Sequence, residues 1–394
     1  MIHLLHDEVE SARELMKRNQ PFALKTDVLK CKGLEAIAKD LGCLDNLSRE
    51  LGGSSVPVCT CETDPVNSSM TLHEYIMGYL PKQDADAKEP KHYLKDWHFI
   101  QEHGKSRYED YSPPSPVLQD DWLNDWCDIQ SLPIKCPLIP DCLLRCQDYR
   151  FVYLGPRGTF TPLHHDVLGS YSWSVNVTGR KRWILFPPHL THLLKDKNGE
   201  LAFDVRAEAW DLERFPGLAE ACAAAIDVVQ GEGECIFVPS FWHHQVVNLG
   251  HVTLSINHNF FNGYNIKEIF KWLASELGLV RRELAHLRQE MESEGKGVWE
   301  DKCEELLRLN SKMGMGELVS LLWWRKMCRG LTTDANADYV IGELEEVLRE
   351  MQAGITSEHL ASISVPLLNS EGYTGTKMKA SEVVKRLLAS LVLP

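Results

Sequence analysis

Apolar and polar positions change rhythm twice along the chain, dividing it into three parts. In residues 1–148 helical and extended spacings are mixed. EVESARELMKR (residues 8–18) carries apolar residues at helical spacing, and a second helix is expected over about residues 33–41. Pro21-Phe22-Ala23-Leu24-Lys25, Val56-Pro57-Val58-Cys59-Thr60-Cys61 and His92-Tyr93-Leu94-Lys95-Asp96-Trp97 read as short strands. Ser69 is placed to cap a helix running through MTLHEYIMGYL. Residues 82–90 are polar and loop-like. Ser112-Pro113-Pro114-Ser115-Pro116 is a loop in which proline removes backbone donors.

Between residues 149 and 262 the rhythm is that of strands. RFVYLG, TPLHHDV, SYSWSVNV, KRWILFPP, AIDVVQ, ECIFVP, WHHQVVNL and HVTLSINHNFF follow one another, with glycine or proline turns between many of them. Eight short strands with such punctuation predict a barrel or jelly roll. Residues 263–394 return to helical spacing, starting with the amphipathic IKEIFKWLASEL. Further helices are expected near 280–292, 298–313, 316–328, 339–352 and 379–391. The fold class is therefore α+β. The C-terminal helices either pack on the barrel or pair two chains as a homodimer.

Composition narrows the setting. The chain has 394 residues, is 44% hydrophobic and 25% charged, and holds no apolar run of membrane-spanning length. The apolar part of MIHLLHDEVESARELMK is too short for a signal peptide. A cytoplasmic location is expected, with the nucleus as the other compartment. Twelve cysteines show no CxxC pair; Cys59 and Cys61 are two apart, Cys142 and Cys146 four apart. Free thiols in a reducing compartment fit this better than a disulfide framework. A net charge of −14 argues against a nucleic-acid partner, because such binding rests on cations neutralising phosphates.

Three segments carry candidate chemistry. In Thr161-Pro162-Leu163-His164-His165-Asp166, side chains two apart on a strand share a face, so His164 and Asp166 point together and His165 points away. An imidazole and a carboxylate on one face are two-thirds of a 2-His-1-carboxylate triad for Fe(II). Pro239-Ser240-Phe241-Trp242-His243-His244-Gln245-Val246-Val247-Asn248 offers a third ligand, His243 or His244; alternation separates the two but does not say which faces inward. In Gly179-Arg180-Lys181-Arg182-Trp183-Ile184-Leu185-Phe186-Pro187-Pro188, Lys181 shares a face with Trp183 and Leu185. An ammonium carried inward needs an anion beside it.

In this order, the HxD, the GxKRWxLFPP strand and the PxxWxHxVxN strand resemble the catalytic core of the jumonji-type 2-oxoglutarate oxygenases. The resemblance implies a double-stranded β-helix, a jelly-roll or cupin-like core, with N-terminal α/β elements and a C-terminal helical region. It implies Fe(II), 2-oxoglutarate and O₂ as cofactor and co-substrates, with His164, Asp166 and His244 as ligands, the last lying five residues after Pro239. Lys181 matches the lysine that binds the far carboxylate of 2-oxoglutarate. Thr161 matches a hydroxyl on the same carboxylate, and Tyr93 a tyrosine supplied by an earlier strand. Asn259 matches a polar residue on the last strand beside the co-substrate. Ser174 stands where some relatives carry asparagine. YRFVYLGPRGTFTPLHHDVLGSYSWSVNVTGRKRWILFPP is most similar to members regarded as lysyl hydroxylases of the eukaryotic translation termination factor, which makes that factor the expected protein partner.

Lysine demethylation uses the same iron centre and is the competing chemistry. The intact HxD, histidine and lysine argue against a non-enzymatic scaffold, which needs none of them. Tyr108, Tyr111, Trp122 and Trp126, with Asp120, Asp121 and Asp125, fit either a peptide groove or a packed proline-rich cover.

Overall fold

Alternating residues produce the strands the pattern predicts, and two short ones, His3–Leu5 and Ser68–Thr71, that it does not. In the computed structural model, β1 (His3–Leu5), β2 (Phe22–Leu24), β3 (Ser55–Thr60), β4 (Ser68–Thr71) and β5 (His92–Trp97) come first. The eight central strands follow: β6 (Arg150–Pro156), β7 (Phe160–His164), β8 (Tyr171–Thr178), β9 (Lys181–Phe186), β10 (Ile226–Gln230), β11 (Cys235–Val238), β12 (His243–Asn248) and β13 (Val252–Phe260). The structure describes residues 2–6, 8–25, 34–60, 68–80, 91–104, 112–130, 148–331, 336–369 and 372–392. The loop expected at 82–90, the residues Tyr108 and Tyr111, and the pair Cys142 and Cys146 lie outside these.

The chain forms two compact units. The first comprises Met1–Gln119, Tyr149–Asp166 and Tyr171–Asn259; the second Asp120–Asp148, Val167–Ser170 and Phe260–Pro394. In the first unit a nine-stranded sheet runs β1-β2-β11-β8-β13-β6-β5-β3-β4, and a four-stranded sheet runs β10-β9-β12-β7. Trp183, Leu185 and Val246 of the small sheet pack with Ala23, Ile236 and Val238 of the large one, forming the apolar part of the space between them. This is the expected jelly roll, and the early strands β1 to β5 extend its large sheet rather than forming a layer of their own.

Two local readings are corrected. Ser69 lies within β4; the helical turn that follows is capped by Thr71, whose hydroxyl accepts from the Glu74 amide while Glu74 reaches back to the Thr71 amide. A capping box satisfies two end groups at once and outcompetes a single serine two residues earlier. The second correction is in the C-terminal region, which holds the expected helices, including Ile266–Glu283, Val298–Ser311, Met315–Trp324, Ala337–Glu350 and Ala380–Val392. It also holds a hairpin of β14 (Ser364–Asn369) and β15 (Gly372–Lys379).

Trp122 and Trp126 are buried in the second unit, on helix Trp122–Gln130. The Trp126 ring lies 6.1 Å from that of Trp324 and its Nε1 donates to Glu317. Arg325 pairs with Asp120 and Asp125. These residues build a core and not a peptide groove. Among the described residues, no helix is long and apolar enough to cross a membrane.

Candidate active site

The site begins where β7 and β12 pair. His164, the last residue of β7, lies directly opposite His244, and their rings are 4.3 Å apart. The turn before β12 decides which histidine faces inward. Phe241 adopts φ +61° there. Asn19 bonds both backbone groups of Ser240, and its carbonyl accepts from Trp242 Nε1. With Trp242 anchored inward beside Val246, alternation brings His244 inward too. His243 turns to the other side, against His165, at 5.2 Å between rings.

Both inward imidazoles are held in one tautomer. His164 Nδ1 lies 2.8 Å from the Pro162 carbonyl and His244 Nδ1 lies 3.0 Å from the Trp242 carbonyl. A carbonyl only accepts, so each Nδ1 carries the proton and each Nε2 presents a lone pair. Burial first, then His244 and the charge of Lys95, hold His164 well below the usual imidazole range. It is therefore neutral, the form that binds a metal.

Asp166 lies two residues past the end of β7. Its Oδ2 accepts from Ser172 Oγ and its Oδ1 from Asn259 Nδ2, both at 2.7 Å. One ligand atom from each of His164, Asp166 and His244 lies within 4.8 Å of the others. Two oriented imidazoles and a braced carboxylate fit Fe(II), whose facial triad leaves positions open on the far side. Asn259, which the resemblance puts beside the co-substrate, donates its amide to Asp166 and so braces that carboxylate.

Lys181 is the charge at the other end of the interior. Gly179, at φ +81°, makes the turn that starts β9, and a Cβ there would collide with the Val252 carbonyl. Lys181 pairs with Asn248 four residues along β12 from His244. It is 2% exposed, and its ammonium donates to Ser255 Oγ at 2.5 Å. Ser255 and Ser174 both donate to Asn257 Oδ1, at 2.9 and 3.1 Å. Ser174 therefore supports this network. Among the described residues no carboxylate lies within ion-pairing distance of Lys181, and burial lowers its pKa to about 7. Four strand residues span about 13 Å, a reach that a lysine side chain and a five-carbon diacid fill together.

Thr161, buried in β7, pairs with Val246 and so lies on the inward side with Trp183. Tyr93 is buried on β5, its ring 6.0 Å from that of Tyr153. Tyr153, which the sequence motifs do not flag, stands beside Lys181. It pairs with Ser255 on β13, and the Lys181 ammonium lies 5.4 Å from its ring centre. Its position in RFVYLG is the available signal, since β6 must turn one face inward.

A family model described as a cupin-like domain matches residues 8–266. The chain is 35% identical over 314 residues to the 2-oxoglutarate and iron-dependent oxygenase JMJD4 of Danio rerio, covering 77% of this chain and 69% of that protein. It is 36% identical over 284 residues to the protein of the same name in Homo sapiens, covering 71% and 63%. It is 33% identical over 314 residues to the arginine-specific demethylase JMJ20 of Arabidopsis thaliana, covering 78% and 65%.

Proposed function

The chain belongs to the cupin-like, JmjC-type family of 2-oxoglutarate- and iron-dependent oxygenases, and from that premise we propose that it hydroxylates a lysine side-chain carbon of a protein, the translation termination factor, in the cytoplasm. One observation carries the oxygenase chemistry on this chain's own residues. A buried ammonium, without a carboxylate partner among the described residues, shares an interior with the His164–Asp166–His244 cluster, which is half-buried to buried. A fold gains nothing from that ammonium unless an anion occupies the space.

His164 and His244 would hold the metal through Nε2, and Asp166 through a carboxylate oxygen. Iron with 2-oxoglutarate supplies the oxidising chemistry: O₂ is reduced, the oxo acid loses CO₂ to give succinate, and one oxygen enters a C–H bond. Lys181 and Thr161 hold the far end of the co-substrate, with Tyr93 and Tyr153 walling that end. Ser172 and Asn259 fix Asp166. Trp183 and Val246 exclude water from the inner wall. No side chain is required as a nucleophile.

The lysine target and the termination factor rest on the motif resemblance alone; the relatives' shared name supports the oxygenase chemistry. The demethylase name of the Arabidopsis relative supports a second reading, removal of a methyl group from a protein side chain. The full chain, Fe(II), 2-oxoglutarate and either unmodified termination factor or a methylated protein substrate separate the two. Hydroxylation leaves a stable gain of about 16 Da; demethylation removes about 14 Da and releases formaldehyde, because a hydroxylated N-methyl group collapses. Formaldehyde from the methylated substrate, with no adduct on the unmodified protein, would replace the first reading by the second.

A further inference from the structure

A C–H bond offers an enzyme nothing to grip, so a target carbon is placed by holding the polar group beyond it. Asp96 is situated to do this. It lies near the end of β5, where the pairing with β6 shifts register between Leu94 and Trp97. Its φ is +62°, in the left-handed region that few residues other than glycine adopt. Irregular backbone of this kind re-aims a side chain and is kept where surroundings hold it. Here the hold is Tyr153, whose hydroxyl donates to Asp96 Oδ1 at 2.6 Å. The same Tyr153 ring flanks Lys181, so Asp96 is tied to the wall of the candidate co-substrate space.

The other carboxylate oxygen, Oδ2, accepts no hydrogen bond among the described residues and holds only a long ion pair, to Lys95 Nζ at 3.8 Å, which a closer cation would displace. The Asp96 side chain is 48% exposed, so the group opens to solvent while its first oxygen is anchored. By contrast, Asp166 has both oxygens engaged by Ser172 and Asn259.

We propose that Asp96 is the specificity-determining acceptor for a side-chain cation of the protein substrate, the ammonium of lysine or the guanidinium of arginine. The proposal rests on the oxygenase reading above and deepens it. It accounts for a substrate whose charge lies a few bonds from the oxidised carbon. It applies equally to hydroxylation of lysine and to demethylation of a cationic side chain.

Asp96→Asn is the discriminating variant. Asparagine tolerates the same backbone conformation, still accepts from Tyr153, and removes only the charge. Binding of n-butylammonium, n-butylguanidinium and n-butanol to the full chain is measured by ligand-observed NMR, with a thermal melt of each variant as the folding control. The wild type is expected to prefer a cation over the alcohol. Asp96→Asn is expected to weaken that cation about tenfold, the effect of losing one half-exposed charge-assisted contact, and to leave the alcohol unchanged. The better of the two cations identifies lysine or arginine as the source. Tyr153→Phe, which frees the anchored oxygen but keeps the charge, is expected to weaken cation binding less than Asp96→Asn. Equal binding of cation and alcohol, or equal cation binding by wild type and Asp96→Asn, overturns the proposal. Hydroxylation of the termination factor is scored separately by mass. Its absence, with the cation preference intact, removes that substrate and leaves the role of Asp96 standing.

Discussion

His359 provides a sharp test of how the second unit is held together. It is fully buried on helix Gly354–Ser362. Its Nδ1 lies 2.7 Å from Glu300 and its Nε2 2.8 Å from Glu304, so both ring nitrogens face carboxylate acceptors and both must carry protons. Burial alone would lower its pKa, but the hydrogen bonds to Glu300 and Glu304 outweigh burial and raise it above the usual imidazole value. Arg281 pairs with Glu300 and also reaches Glu358, while Asp301 lies nearby with its own pKa raised by burial. Glu304 additionally receives the backbone amides of Met315 and Gly316. The imidazolium thus ties helix Gly354–Ser362 to Val298–Ser311 and, through Glu304, to the start of Met315–Trp324.

In His359→Gln the charge is lost, but Glu300 keeps Arg281 and Glu304 keeps its amides. The cost is therefore near the lower end for a broken buried pair, roughly 3 kcal/mol. For a unit of this size that lowers its melting point by roughly 6–12 °C. The pH dependence follows from the direction of the shift. A raised folded pKa means the contribution is complete below about pH 6.5 and is lost as pH rises through the folded value. Within that window the wild type should lose about 1.4 kcal/mol per pH unit relative to His359→Gln. Thermal melts of both proteins from pH 6 to 9 measure this. Parallel pH curves would show that His359 is not a buried cation.

Three further outcomes concern the candidate site. His164→Ala, Asp166→Ala and His244→Ala should each abolish turnover and weaken Fe(II) binding in a metal titration, while His165→Ala and His243→Ala keep both; a dead His243→Ala beside a working His244→Ala would place the register one residue off. Lys181→Ala should weaken 2-oxoglutarate by roughly 2–5 kcal/mol in calorimetry, and Lys181→Arg should not restore it, because the planar guanidinium differs in shape and reach; unchanged affinity in Lys181→Ala would put the anion elsewhere. Ser172→Ala or Asn259→Ala should weaken Fe(II) about 10–100-fold by freeing an Asp166 oxygen, and metal affinity equal to wild type would refute the bracing role.

The central strands were legible because a buried face and a period of two write themselves directly into residues such as those of β8 and β9. The HxD was legible for the same reason, although Asp166 lies beyond the strand and owes its position to Ser172 and Asn259 as much as to alternation. The choice between His243 and His244 was not open to periodicity. It depends on Asn19, more than two hundred residues earlier, fixing the turn at Ser240. Tyr153 escaped notice because its partners, Asp96 and Lys181, come from two other strands. For Trp122 and Trp126 the sequence left a groove and a packed cover equally open, because exposed and buried aromatics read alike until their neighbours are known. The β14–β15 hairpin lies between two helices, and β15, GYTGTKMK, carries too few apolar positions for an alternation to stand out.

The interior also explains why a fold would keep two opposite charges apart. Asp166 and Lys181 both face the space between the sheets, yet each is bound by neutral groups: Asp166 by a hydroxyl and an amide, Lys181 by a hydroxyl. Ser255, Asn257 and Asn259 alternate along the inward face of β13, with Ser172 and Ser174 beside them on β8, forming a polar lining from one charge toward the other. Stability alone favours either pairing buried charges or replacing both with apolar side chains. A separated pair leaves a cation-binding end and an anion-binding end in one space. A metal ion with an acid whose far end is also anionic would match that pattern, which makes the lack of a carboxylate beside Lys181, among the described residues, evidence for a ligand rather than a defect of packing.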